Sequence, residues 1–272
     1  MTLQPAELGF SLRERPEGYP GERSETTAPG IQELTYYRYE GSFPQLELSI
    51  ALFDPEASGV GVPVLTDETA TVQSGSEGSL TVSFIDAEQI AGASNPMTAV
   101  AWQIDNLWLT ITSNAPGDQA RKDVLDTAAL VDVGTVTSFT FPMQVGYVPA
   151  GYNITSASRV LDPDGHVAAY LGFDNGPHLG FGSELAVSAD TLTNVPDGVV
   201  PNTTVGNYEA AFSPGTVESG PHLYVFDVDG FIIEIQGGVA NTEAELRQMG
   251  VTILVIPGAA SDPTVWTTQP LG

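Results

Sequence analysis

Apolar and polar residues alternate along this chain in short runs more often than they recur at helical spacing. Leu34-Thr-Tyr36-Tyr37-Arg38-Tyr39 and Leu46-Glu-Leu48-Ser-Ile50-Ala-Leu52 carry the period of two expected of half-buried strands. Leu80–Phe84, Val100–Trp102 and Leu107–Ile111 continue it, and His166–Phe173, Val205–Phe212, Leu223–Phe226 and Phe231–Ile235 resume it farther on. Between the last two runs, Asp229-Gly230 is a tight-hairpin signal, because both residues tolerate positive φ; Asp105-Asn106 stands in the matching place earlier. Helical spacing is clear twice. Thr242-Glu-Ala-Glu245 has the form of a capping box ahead of Leu246 and Met249, with Gly250 as the expected stop. Asp118 is placed to cap a second helix running through Lys122 to Leu130, with Val124, Leu125, Ala128 and Ala129 on its inner side.

These elements recur in one order. Pro16-Glu-Gly18-Tyr19 and Pro149-Ala-Gly151-Tyr152 lie 133 positions apart, as do Thr71-Val72 and Thr204-Val205. The stretch Ala101–Ile111 aligns with Val225–Ile235 at 124, an offset shortened by small loop deletions. The expected fold is therefore α+β: two tandem repeats, 1–135 and 136–272, each a twisted antiparallel sheet with a C-terminal helix packed on one face. Val133–Phe141 would join them, and it has no long Gly/Ser or Pro run to make it a flexible tether.

Composition narrows the partners. The chain of 272 residues is 42% hydrophobic, enough for real cores, and carries 34 acidic against 8 basic residues, a net charge of −26. Such a surface repels phosphate backbones and anionic headgroups, which excludes nucleic acid and anionic membrane surfaces as partners. There is no cysteine, so thiolate chemistry and Cys-ligated zinc are out. The longest apolar stretch, Val251–Pro257, falls far short of the roughly 20 residues of a membrane-spanning helix. Met1–Glu7 lacks the basic and apolar regions of a signal peptide, which leaves an intracellular protein or one cut after a removed anchor. A single lysine, Lys122, with abundant Gly, Ala, Thr and Val and 20 prolines, suits exported proteins of GC-rich bacteria. An extracytoplasmic location is the expectation, with a cytoplasmic one as the alternative.

Candidate chemistry is sparse. His166 in Asp162-Pro-Asp164-Gly165-His166, His178 after Asp174-Asn-Gly-Pro, and His222 after Pro221 each have a plainer reading as turn or strand-entry residues. Their spacing is not that of a zinc site. Asp227-Val-Asp229-Gly230 is too short for a calcium loop and reads as a hairpin. Ser76 and Ser183 sit in glycine-bearing loops without the elbow of a serine nucleophile, and Asp67-Glu68 reads as a solvated loop pair. Tyr36, Tyr37 and Tyr39 with Trp102 and Trp108 would line a groove only if they shared one open face; alternation instead sends Tyr36 and Tyr37 to opposite faces. No catalytic, cofactor-binding or metal residue is assigned from the sequence, and no cofactor is expected.

The unit carried best by Phe141-Pro-Met143…Pro149-Ala-Gly151-Tyr152, then Phe226-Asp-Val-Asp229-Gly230-Phe231-Ile-Ile-Glu-Ile235 and Glu243–Met249, resembles the extracytoplasmic domain of bacterial membrane-anchored anti-sigma factors and lipoproteins. It is similar, more distantly, to PsbP-like and lipoprotein-carrier-like α+β folds. The first copy departs from it with Trp102 and Asn106 where the second has Phe226 and Gly230. What the resemblance implies is a non-enzymatic interaction or sensor module of the cell envelope with a protein partner. The alternative is a carrier for a small apolar ligand held between sheet and helix. A hydrolase built on His166, His178 or His222 with a nearby acid ranks below both.

Overall fold

A computed structural model describes residues 6–27, 30–39, 44–74, 78–86, 97–175, 185–191, 198–216 and 220–272. The chain divides into two units, Met1–Ser138 and Phe139–Gly272.

The first unit begins with β1 (Glu7–Leu12), β2 (Gly21–Thr27), β3 (Ile31–Tyr39) and β4 (Pro44–Phe53), then a single turn of helix, α1 (Pro55–Ser58). It continues with β5 (Leu65–Ser74), β6 (Gly78–Ile85), β7 (Thr98–Ile104), β8 (Leu107–Ser113), α2 (Asp118–Leu130) and β9 (Val131–Ser138). Seven of these strands form antiparallel ladders in the order β2-β3-β4-β8-β7-β6-β5, and β1 pairs separately with β9. The period-two pattern explains which face is buried. Leu34, Tyr36, Leu48, Ile50, Leu52, Val100, Trp102, Leu109 and Ile111 lie in register on one face, all at most 6% exposed. Against β5, β7 and β8 lies α2, with Ala120, Val124 and Ala128 inward. Each large side chain sealed there contributes about 1.5–3 kcal/mol of transfer free energy.

The second unit contains β10 (Met143–Val145), β11 (Asn153–Leu161), β12 (Val167–Asp174), β13 (Leu185–Asp190), β14 (Thr203–Val205) and β15 (Tyr208–Ser213). After them come β16 (His222–Val228), β17 (Phe231–Gln236), α3 (Glu243–Thr252) and β18 (Ile253–Val255). Its ladders run β11-β12-β13-β17-β16-β15-β14, and β10 pairs with β18. Taken in turn, the two orders correspond strand for strand. Leu171, Val187, Leu223, Val225, Ile233 and Ile235 form the inner face, on which α3 sets Leu246 and Met249.

The expected α+β class is corrected by these contents. Strand makes up 54% of the structure and helix 13%, so the chain is mostly β, an antiparallel sheet protein and not a tandem pair of α+β repeats. The reason is that several strands do not alternate. β5 (LTDETATVQS) is polar and exposed over most of its length, and β11 and β13 are rich in small residues, so the sequence pattern undercounts strand.

Local expectations change too. The N-cap of α2 is Gly117 at φ 60°, without a side-chain bond, and Asp118 lies inside the first turn, where its charge favours the helix dipole. Gly250 does not stop α3, which runs to Thr252; the glycine lets the helix approach Val205, whose Cγ1 would be 3.0 Å from an added Cβ. Val205–Phe212 is two strands, reversed at Gly206-Asn207. Of the expected joining segment, residues through Ser138 belong to β9 and pair with β1 in the first unit.

Candidate functional site

A cleft of the first unit starts from the Pro-x-Gly-Tyr turn. Gly18 takes φ 85°, a conformation open to glycine, and delivers Tyr19 to the buried side of α2. The Tyr19 hydroxyl donates to Asp123 Oδ2 at 2.7 Å, and Ser113 Oγ, at the end of β8, donates to the same oxygen at 3.4 Å. Gln119 Nε2, one turn back on α2, donates to Asp123 Oδ1 at 2.6 Å. Asp123 is thus a buried carboxylate, 8% exposed, with both oxygens engaged. Burial, and then the hydrogen bond and charge of Asp123, push the Tyr19 phenol up to about 12.

Above this floor opens a cleft of about 780 Å³, whose charged lining is Glu14, Arg15, Glu17, Lys122, Asp123 and Asp126. Both cations are held. Arg15 bonds Glu22 at 2.8 Å, and its guanidinium lies 5.6 Å from the Tyr36 ring centroid. Lys122 bonds Asp126 at 2.8 Å, which raises its pKa. No histidine lines the cleft, the carboxylate at its floor takes three donors, and its phenol stays neutral at any physiological pH. The arrangement can recognise polar groups, with the exposed carboxylates of Glu14 and Glu17 at its rim.

The histidines lie elsewhere. His166 closes the β11–β12 turn, where Gly165 at φ 88° ends a three-residue loop. Its Nδ1 is 2.7 Å from Asp162 Oδ2 and its Nε2 2.9 Å from Asp190 Oδ1. His222 Nδ1 is 2.9 Å from Glu234 Oε1, and its ring stacks on Tyr224 at 6.2 Å. Burial, then the charge and hydrogen bond of Glu234, raise the Tyr224 phenol to about 12. Two strands, β13 and β17, separate β12 from β16, which sets His166 and His222 at least ~14 Å apart. His178 lies outside the described residues, as do Ser76 and Ser183.

The remaining candidates resolve as structure. Asp229 and Gly230 hold φ of 50° and 89° in the β16–β17 turn, and Asp227, at 53°, sits at the adjoining bulge. Asp105 takes φ 53° in the corresponding β7–β8 turn. Asp67 and Glu68 lie within an irregular part of β5, a correction to their reading as loop residues, and Glu68 pairs with Arg121 of α2 at 2.7 Å. Tyr36 and Trp102 share the face of Leu48 and Leu109; Tyr37 and Trp108 are on the other, where Tyr37, also buried, spreads its ring over Gly21. The side chain of Tyr39 is outside what the structure describes. Among the described residues, no three of His, Cys, Asp and Glu are grouped so as to hold a metal ion. No helix among them is long and apolar enough to cross a membrane.

Two functional residues escaped the sequence reading. Asp123 stands among Ala120, Val124, Thr127 and Ala128 on the buried stripe of α2, and a carboxylate in that position calls for a buried donor. Asp190 ends β13, which the alternation did not reveal. No protein-family model matches the chain, and no curated protein matches it.

Proposed function

We propose that this chain is a non-enzymatic interaction module of the bacterial cell envelope, which engages a polar partner through the cleft of its first unit. The observation that carries the reading is the cleft itself: about 780 Å³ of open space over a Tyr19–Asp123–Gln119 floor whose donors and acceptors are already matched. A matched floor is rigid and suits recognition, whereas catalysis needs a group left free to gain or lose a proton. The envelope location rests on composition, in particular the single lysine, and the likeness to extracytoplasmic domains of anti-sigma factors and lipoproteins adds to it. That likeness now rests on turn and core residues alone, since the α+β fold it implied is replaced by a mostly β one.

The carrier reading has less behind it. An apolar pocket of the second unit, between Val205, Val225, Ile233 and Val251, measures about 70 Å³, well below the roughly 300 Å³ of a small-ligand site.

An arrayed library of short peptides tests the main reading. Binding sequences are expected, with affinity reduced about tenfold or more by Glu14→Arg with Asp126→Arg, and unchanged by Glu209→Arg on the second unit. Peptides that bind the cleft variant and the unaltered chain alike remove the cleft from the proposal. Hydrolysis of ester or glycoside reporters that disappears in His166→Ala would replace it with an enzyme.

A further inference from the structure

We propose that the cleft of the first unit receives a cationic side chain, an arginine or lysine carried on a segment of a partner protein. This deepens the function proposed above and rests on it. The floor points to a cation. Asp123 is 8% exposed, and the groups that hold it are neutral: the Tyr19 and Ser113 hydroxyls and the Gln119 side-chain amide. Its hydrogen bonds are made, but no cation among the described residues bonds it. A buried carboxylate is ordinarily paired with a cation, because neutral donors replace the hydrogen bonds of water without cancelling the charge.

The second unit shows that the turn itself does not need this charge. There Gly151, at φ 92°, precedes Tyr152 as Gly18 precedes Tyr19, and the Tyr152 hydroxyl donates to Asn241 Oδ1 at 3.3 Å. A neutral amide is acceptor enough for that tyrosine. The acid under Tyr19 is an addition that the Pro-x-Gly-Tyr turn does not require, and it stands where the cleft opens.

The walls add to the charge of the floor. Arg15 is paired with Glu22 and Lys122 with Asp126, which leaves Glu14, Glu17 and Asp123 as the lining acids that no cation among the described residues bonds. Lys122 acts on Glu17 and Asp123 through its charge alone, and Arg38 acts in the same way on Tyr19 from outside the lining. The cation is an organic one. Among the described residues no three acids converge on a metal ion, and a cleft of about 780 Å³ lies within the roughly 300–1,000 Å³ of sites for small organic ligands. That is room for a long side chain with some of the backbone that carries it. The chain's net charge of −26 draws basic segments toward the cleft and turns acidic ones away.

The test titrates the full chain with blocked glycine-serine peptides that carry one central arginine or, in its place, citrulline, the neutral isostere. At about 0.02 M sodium chloride the arginine peptide is expected to bind about tenfold or more tighter, and at about 0.5 M the advantage should shrink about threefold or more. Asp123→Asn should remove most of the advantage; it keeps an acceptor for Tyr19, and Gln119 can turn its amide to accept from the new N–H. Glu14→Gln with Glu17→Gln, both at the exposed rim, should reduce it about threefold or more, and this pair decides if Asp123→Asn fails to fold. Citrulline that binds as tightly as arginine, or binding of neither peptide, overturns the cation. Spermidine that binds about tenfold tighter than the arginine peptide overturns the protein segment in favour of a free polyamine. An arginine advantage that every cleft variant leaves intact takes the cation out of the cleft. The interaction module itself falls only if the peptide library also ignores those variants.

Discussion

The residue with the most to lose is Tyr19, whose hydroxyl is one of three donors to a carboxylate taken out of water. Tyr19→Phe keeps the ring and removes that donor, with an expected cost of about 1–3 kcal/mol in denaturant unfolding. The same variant separates the alkaline behaviour. A phenol at about 12 in the folded chain and near 10 when unfolded binds its proton more tightly in the folded state, so stability falls as pH rises from 10 to 12. Tyr224 behaves likewise, and Tyr19→Phe should remove part of the alkaline loss, read as unfolding midpoints against pH. Glycine matters most where a ring covers it. A Cβ at Gly21 would fall inside the Tyr37 ring, so Gly21→Ala should lower thermal stability by several degrees, and adding Tyr37→Ala should recover part of the loss.

At the scale of elements, what could be read in advance followed from turn and cap chemistry. Asp229-Gly230 and Asp105-Asn106 name their hairpins because few residues accept positive φ. Thr242 and Glu245 name the start of α3 because each satisfies a backbone N–H of the other. Glu245 is held below the usual carboxylate range, first by the Thr242 backbone N–H, so this part of the cap's stability is present above the ordinary Glu pKa and fades as pH falls through the lowered one. Thr242→Ala should cost about 0.5–2 kcal/mol, seen in the unfolding midpoint at neutral pH. Strands without alternation stayed hidden for the converse reason. β13 reads LAVSAD, with five of its six residues apolar or small, and its place is fixed by pairing with β12 and β17, residues that lie distant in the chain. With β13 unseen, the Asp190 partner of His166 was unseen as well. Asp123 was visible as a letter, but only packing against Tyr19, 104 positions away, gives it a role.

For the molecule as a whole, the governing quantity is a charge of −26 on 272 residues. Eight cations cannot neutralise it, and exposed ion pairs such as Arg23–Glu25, Arg121–Glu68, Lys122–Asp126 and Arg247–Glu243 contribute little each. Self-repulsion should therefore weaken the folded state in dilute buffer. Raising sodium chloride from about 0.02 M to about 0.5 M shortens the screening length from roughly 20 Å to about 4 Å. The unfolding temperature is expected to climb by several degrees over that range; one that falls would mean that attractive pairs outweigh the repulsion.

The small ladders β1–β9 and β10–β18 bear on how each unit answers to tension. Glu7, where the chain enters β1, pairs with Ser138, where it leaves β9; Met143 and Val255 stand in the same relation. A pull on the two ends of the first unit loads the Glu7–Ser138 pair alone, then the next, peeling the ladder instead of shearing all its bonds together; in the second unit the tail to Gly272 bonds back to Phe141 and Val145 and takes the load first. A unit built like the first would yield to modest force at this ladder before its wide sheet is strained.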